Sequence, residues 1–145
     1  MPLLGLCLKF QIDLPLSIVF AREAYSLKTI MIVHDSNVIR NKIQRACAGY
    51  FEVVATAKNG EEAVQFYNQF HPDVITMDLT MPKMDGLKCI NELMELDTNV
   101  NSLVISDLSD KATGIRAIEL GARGFIYKPF SDETLNEALT EIIEN

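Results

Sequence analysis

Five side chains with chemical potential stand at the ends of short apolar runs. Asp78 closes Val74-Ile75-Thr76-Met77. His34 and Asp35 follow the run from Thr29 to Val33, Ser106 ends the run from Ser102, and Lys128 follows Phe125-Ile126-Tyr127. Runs of this length, partly β-branched, read as buried strands. If they lie side by side and parallel, these side chains gather on one edge, where open α/β sheets bind ligands. Carboxylates gathered there repel one another unless a cation sits among them. A hard ion suits oxygen donors, and Mg²⁺ fits best. A lysine and a hydroxyl on the same edge match the charge and oxygens of a phosphoryl group. Phosphoryl transfer asks for little beyond positioning and charge neutralisation. Asp78 is the candidate nucleophile, forming an acyl phosphate.

Taken singly, each residue has a plainer reading. Asp35 can cap a helix, Ser106 can be satisfied by backbone, and Lys128 can be a surface lysine. Their joint occurrence at strand ends is what carries the chemical reading.

The elements that must position them follow from periodicity. Phe51–Ala57 adds a strand, giving five. Ser36 is a plausible N-cap, and Ile39, Ile43, Ala46, Cys47 and Tyr50 recur at helical spacing after it. After Asn59-Gly60, Ala63, Phe66, Tyr67 and Phe70 mark a helix face. Leu87, Ile90, Leu93 and Met94 mark another, beyond the breaks at Pro82 and Gly86. A helix spans about Asp110 to Leu120, followed by a turn at Gly121-Ala122-Arg123-Gly124. Ser131 caps the last helix, whose inner face carries Leu135, Ala138, Leu139, Ile142 and Ile143. Its Glu137, Glu141 and Glu144 read as a solvated face. Strict alternation of five strands and five helices predicts a parallel sheet between two helical layers, built from right-handed βαβ units.

Length and charge narrow the class. The 145 residues suit one domain with a real core. The net charge of -7, with no basic cluster, argues against nucleic-acid binding, which depends on phosphate neutralisation. Cys7, Cys47 and Cys89 form neither a zinc pattern nor a disulfide framework and read as reduced cytosolic thiols. No phosphate-binding Gly-rich loop or dinucleotide fingerprint is present.

Residues 1–27 fit this pattern poorly. They are apolar, but Lys9, Asp13 and Pro15 interrupt a run that a membrane span would need to be about 20 residues long. A signal peptide should have a basic start, which is missing, although Val19-Phe20-Ala21 mimics a cleavage site. The stretch reads as an N-terminal extension to which the sequence assigns no role, or as a mis-called start with the protein beginning near Leu27. The domain is expected over 28–145, in the cytoplasm, not at a membrane and with no output domain after the fifth helix.

Asp78-Leu-Thr-Met-Pro-Lys-Met-Asp-Gly86 closely resembles the phosphoacceptor segment of response-regulator receiver domains. Val33-His34-Asp35-Ser36 resembles the acidic segment of that family, Asn59-Gly60-Glu61-Glu62-Ala63 its second-helix start, and Lys128-Pro129-Phe130 its lysine motif. The resemblance covers about residues 28–145. It implies a flavodoxin-like, doubly wound sheet in the order 2-1-3-4-5. It also implies Asp78 as phosphoacceptor, with Asp35, Asp78 and the backbone carbonyl of Thr80 holding Mg²⁺. Lys128 and Ser106 would contact the phosphoryl oxygens, and the Lys128–Pro129 bond would be cis. The implied switch moves Ser106 toward the phosphoryl group and turns the ring of Phe125 inward, changing a face made of the fourth helix, fifth strand and fifth helix. A histidine kinase or phosphotransfer protein would supply the phosphate, and a downstream protein would read that face, in chemotaxis or another relay.

Three positions depart from the family pattern or vary within it. His34 replaces one of a usual pair of acids; a neutral imidazole is a poor Mg²⁺ ligand, and in a milder role His34 hydrogen-bonds a water of the ion. Asp107, where a small residue is usual, either repels the phosphate or points to solvent. Thr80, two after Asp78, falls on ground that varies in the family, and the resemblance implies that it tunes phosphoryl lifetime. Beside the phosphorylated switch stand two rivals. One is a phosphorylation-independent adaptor whose chemistry His34 and Asp107 have weakened. The other is a phosphatase of the haloacid-dehalogenase type, which needs a second Asp two residues after the nucleophile, where this chain has Thr80.

Overall fold

A computed structural model describes residues 27–79, 81 and 85–145. The extension read over 1–27 therefore lies, apart from Leu27, outside the described residues.

Among the described residues, five strands alternate with five helices. In chain order they are β1 Lys28–Val33, α1 Asn37–Cys47, β2 Phe51–Ala57, α2 Gly60–Phe70, β3 Val74–Asp78, α3 Gly86–Leu96, β4 Ser102–Asp107, α4 Lys111–Leu120, β5 Gly124–Lys128 and α5 Asp132–Glu144. The strands form one parallel sheet in the order β2-β1-β3-β4-β5. The central strand β3 is buried along its whole length, which is why its sequence is continuously apolar rather than alternating.

Each helix begins on a side chain that accepts a backbone N–H three residues on. The caps are Ser36, Asn59, Asp85, Asp110 and Ser131. A cap of this kind satisfies a donor that the first turn leaves orphaned. Two apolar layers cover the sheet. Met31, Ile75, Met77 and Val104 pack with Ala63, Ile90, Leu93 and Ala117 on the side of α2, α3 and α4. Ile30, Ile32, Leu103 and Ile105 pack with Ile43, Leu135 and Leu139 on the side of α1 and α5. Cys47 and Cys89 are buried free thiols, their pKa values pushed up by burial to about 11 and about 12, so both stay protonated and unreactive near neutral pH.

The helical spacing ending at Tyr50 overruns the helix. α1 stops at Cys47, the chain turns through Gly49 at φ +87°, and Tyr50 is exposed. β4 and β5 extend one residue past the expected runs, to Asp107 and Lys128. Among the described residues, no helix is long and apolar enough to cross a membrane.

Candidate phosphoacceptor site

Sheet register sets the site. Val33 pairs with Met77, so His34 lies level with Asp78 at the strand ends. Asp78 pairs with Ile105, which puts Ser106 one residue beyond it on the next strand, and Asp107 pairs with Lys128. All of these are C-terminal strand ends, the edge expected to bind ligands.

Asp78 is 2% exposed. Lys128 Nζ donates to its Oδ1 at 3.2 Å, reaching back from a position level with Asp107. His34 Nε2 stands 3.4 Å from its Oδ2. Asp35 lies beside His34, its Oδ1 3.1 Å from Nδ1. One donor atom each from His34, Asp35 and Asp78 falls within 4.8 Å of the others. The carbonyl of Thr80 lies outside the described residues.

His34 is held from several sides. The Ser36 amide donates to its Nδ1 at 3.0 Å, and Arg40 Nη1 donates to its carbonyl at 2.6 Å. Among the described residues, Nε2 has no hydrogen-bond partner. Burial holds the imidazole below the usual histidine pKa; Asp78 and Asp35 oppose that shift, while Lys128 and Arg40 add to it. The ring is therefore neutral near pH 7.

Ser106 is buried, and its Oγ has no hydrogen-bond partner among the described residues. Asp107 is exposed, as strand alternation requires of the next residue. Phe125 pairs with Val104, further back along the sheet, and packs edge-on against Tyr127 with centroids 5.2 Å apart. Asp35, Asp78, Lys128 and His34 thus meet directly, whereas Phe125 lies off to the side of α4. The Lys128–Pro129 bond is cis.

Three supporting residues escape a reading of strand ends alone. Arg40 anchors the backbone of His34 from the first turn of α1. Gly86 donates to the Leu79 carbonyl at 3.2 Å, and a Cβ there would stand 2.6 Å from Leu79 Cα and against the Asp78 carbonyl. Gly114 of α4 lies over Ser106 and Phe125, where a Cβ would be 3.7 Å from Ser106 Oγ and 3.8 Å from the Phe125 ring. Gly86 was visible in sequence as a break; its contact with the Asp78 backbone was not.

The arrangement offers a buried carboxylate flanked by a lysine, with an oxygen- and nitrogen-donor cluster on its other side. That donor set fits a divalent cation, with two carboxylates to supply charge.

Comparison with known proteins agrees with this geometry. The family model for the response regulator receiver domain matches residues 30–140. The chain is 41% identical over 117 residues to the chemotaxis protein CheY of Thermotoga maritima, covering 79% of this chain and 97% of that one. It is 37% identical over 115 residues to CheY of Bacillus subtilis, covering 79% and 96%. Among solved structures, it resembles a chain of the CheX-CheY-BeF3-Mg²⁺ complex of Borrelia burgdorferi with a TM-score of 0.76 and 31% identity, over 79% of this chain and 88% of that one. With its motif-bearing strand ends assembled on one edge and its order β2-β1-β3-β4-β5, the chain belongs to the response regulator receiver domain family.

Proposed function

We propose that this protein works as a response regulator through its receiver domain. It accepts a phosphoryl group on Asp78 from a histidine kinase or phosphotransfer protein and thereby switches the binding of a partner. The observation that carries this reading is the buried Asp78 carboxylate, with Lys128 Nζ on one oxygen and the His34–Asp35 cluster beside the other.

In the transfer, an oxygen of Asp78 bonds to phosphorus as the nitrogen–phosphorus bond of the donor histidine breaks. The departing imidazole keeps the electron pair and later takes a proton. Lys128 is placed to neutralise charge on the phosphoryl oxygens, and the Ser106 hydroxyl to donate to one of them. Asp35, Asp78 and the Thr80 carbonyl would hold Mg²⁺, which when bound offsets the negative charge of carboxylates and phosphate together. Water returns Asp78 to its free state by hydrolysing the acyl phosphate, so the only chemistry is self-catalysed transfer and dephosphorylation. The Borrelia relative was solved with BeF3, Mg²⁺ and a protein partner, CheX, which supports a metal- and partner-dependent role for this chain.

The face proposed for the downstream partner is α4–β5–α5, where Ile115, Ile118 and Phe125 are exposed. Phe125 offers no hydroxyl, so its contribution there is apolar. The adaptor reading draws on one observation: a neutral imidazole occupies the place beside Asp78.

Incubation with acetyl phosphate and a divalent cation, read by intact mass on wild type and Asp78→Asn, separates the two. A labile phosphate on wild type, absent from the variant and from metal-free samples, is the expected result. No phosphate from acetyl phosphate or from a cognate kinase would make the adaptor the better reading.

A further inference from the structure

We infer that the His34 imidazole is a third donor to the phosphoryl oxygens, its Nε2–H placed to hydrogen-bond the acyl phosphate from the side opposite Lys128 and Ser106. The inference rests on the proposed phosphoacceptor role of Asp78 and adds a contact to that same site.

Three observations carry it. First, the ring proton sits at Nε2. The Ser36 amide donates to Nδ1 at 3.0 Å, so Nδ1 presents its lone pair and a neutral imidazole holds its one proton on the other nitrogen. Asp35 Oδ1 also approaches Nδ1, at 3.1 Å, but the Asp35 side chain is 42% exposed to water, whereas the amide hydrogen is fixed by the backbone. Second, the Nε2–H is buried and unsatisfied. His34 is 5% exposed, and Nε2 has no hydrogen-bond partner among the described residues. A buried donor in that state costs free energy that an acceptor entering the site recovers. Third, it stands beside the reacting group. Nε2 is 3.4 Å from Asp78 Oδ2, near enough for attraction but without the alignment of a hydrogen bond, while Lys128 Nζ donates to Oδ1.

A phosphoryl group on Asp78 supplies the missing acceptor. Its oxygens spread around the phosphorus, next to the carboxylate oxygens. Strand order sets donors on both sides of it: His34 follows β1 on one side of β3, and Ser106 and Lys128 come from β4 and β5 on the other. Ser106 Oγ is likewise buried without a partner among the described residues, so two donors await acceptors across the same carboxylate. An acid at position 34 would repel the phosphoryl oxygens, whereas a neutral N–H attracts them. A hydrogen bond to an ionised oxygen is also stronger than one between neutral groups. The ring keeps its proton throughout and hands nothing over, so the transfer step itself is unchanged. The Ser36 amide on Nδ1 and Arg40 on the His34 carbonyl hold the imidazole from behind. The donor is therefore in place before charge arrives and costs no reorganisation.

The test uses the full chain at pH 8 with Mg²⁺, labelled with ¹⁵N at histidine and loaded with beryllofluoride as a stable mimic of the phosphoryl group. Before loading, ring ¹⁵N shifts should show the His34 proton on Nε2. After loading, that proton should exchange more slowly with water and show a nuclear Overhauser contact to ¹⁹F. His34→Phe, which keeps a ring but no donor, should bind beryllofluoride about tenfold more weakly. His34→Gln, which restores an N–H, should recover part of that loss. Beryllofluoride bound to wild type without contact between the ring proton and fluorine would overturn the inference, whatever the folding of the variants. So would a ring proton on Nδ1 in the unloaded protein. Phosphorylation of Asp78 alongside either negative result would leave the proposed function standing. Failure of beryllofluoride, acetyl phosphate and a cognate kinase alike to load Asp78 would overturn that function and this inference with it.

Discussion

Lys128 spans from β5 across the end of β4 to Asp78, its Nζ 3.2 Å from Oδ1 of a carboxylate that is only 2% exposed. The pair joins strands that are not neighbours in the sheet, so it ties the edge together as well as setting charge at the proposed phosphoacceptor.

Removing the lysine should therefore cost both stability and chemistry. Lys128→Ala leaves a buried carboxylate with less compensation. Full burial of both partners would make the loss larger, but the lysine side chain is 28% exposed, so a loss of about 1–2 kcal/mol is expected by urea unfolding. Phosphorylation by acetyl phosphate should slow by about tenfold or more. A variant with wild-type rate and stability would remove Lys128 from the site.

Gly86 admits no side chain. A Cβ there meets the Asp78 carbonyl and Leu79 Cα, backbone atoms that cannot swing aside. Gly86→Ala should lower stability by about 2–4 kcal/mol and displace the loop that follows Asp78. Urea unfolding measures the first effect, and the phosphorylation rate the second. Normal values for both would mean that the loop accommodates a methyl group freely.

Gly114 differs in kind. A methyl group there makes only ordinary contacts, 3.7 Å from Ser106 Oγ and 3.8 Å from the Phe125 ring. Helix propensity then favours alanine by about 1 kcal/mol, so Gly114→Ala should raise the melting temperature. The same methyl group fills the space between the two residues assigned to the switch. The spectral response of Phe125 to beryllofluoride, followed by nuclear magnetic resonance, should shrink. An undiminished response would show that the switch does not use this space.

His34 should make stability depend on pH in metal-free buffer. Its folded pKa lies below the ordinary value of about 6.5, chiefly because of burial. As pH falls through that value the unfolded chain takes up a proton that the folded protein does not. The contribution of His34 is therefore complete above about pH 6.5 and is lost progressively below it, down to the folded pKa. Melting temperatures of wild type and His34→Gln, compared with chelator present, should diverge in slope below that pH. Parallel slopes would contradict the buried neutral imidazole.

Much of this protein is written along the chain. Strand lengths, the alternation of strands with helices and the caps Ser36 and Ser131 follow from local periodicity and side-chain chemistry, which need only near neighbours. So does the placement of Asp78, Ser106 and Lys128 at strand ends, since each stands where an apolar run stops. Tyr50 shows the limit of that reading: its spacing fits α1, but the chain leaves the helix at Gly49 first.

What tertiary structure decided is which of the edge residues meet. Nothing local separates His34 from Asp35 as the buried member of the pair. The ring turns inward because the Ser36 amide holds its Nδ1 and Arg40 its backbone carbonyl while β1 aligns it with Asp78, leaving the Asp35 side chain 42% exposed. Likewise, Gly86 and Gly114 are ordinary turn and helix positions until folding sets one on the Asp78 backbone and the other over Ser106 and Phe125. Contacts between residues this far apart in sequence depend on sheet register and helix docking, and these are set by the packing of the whole core.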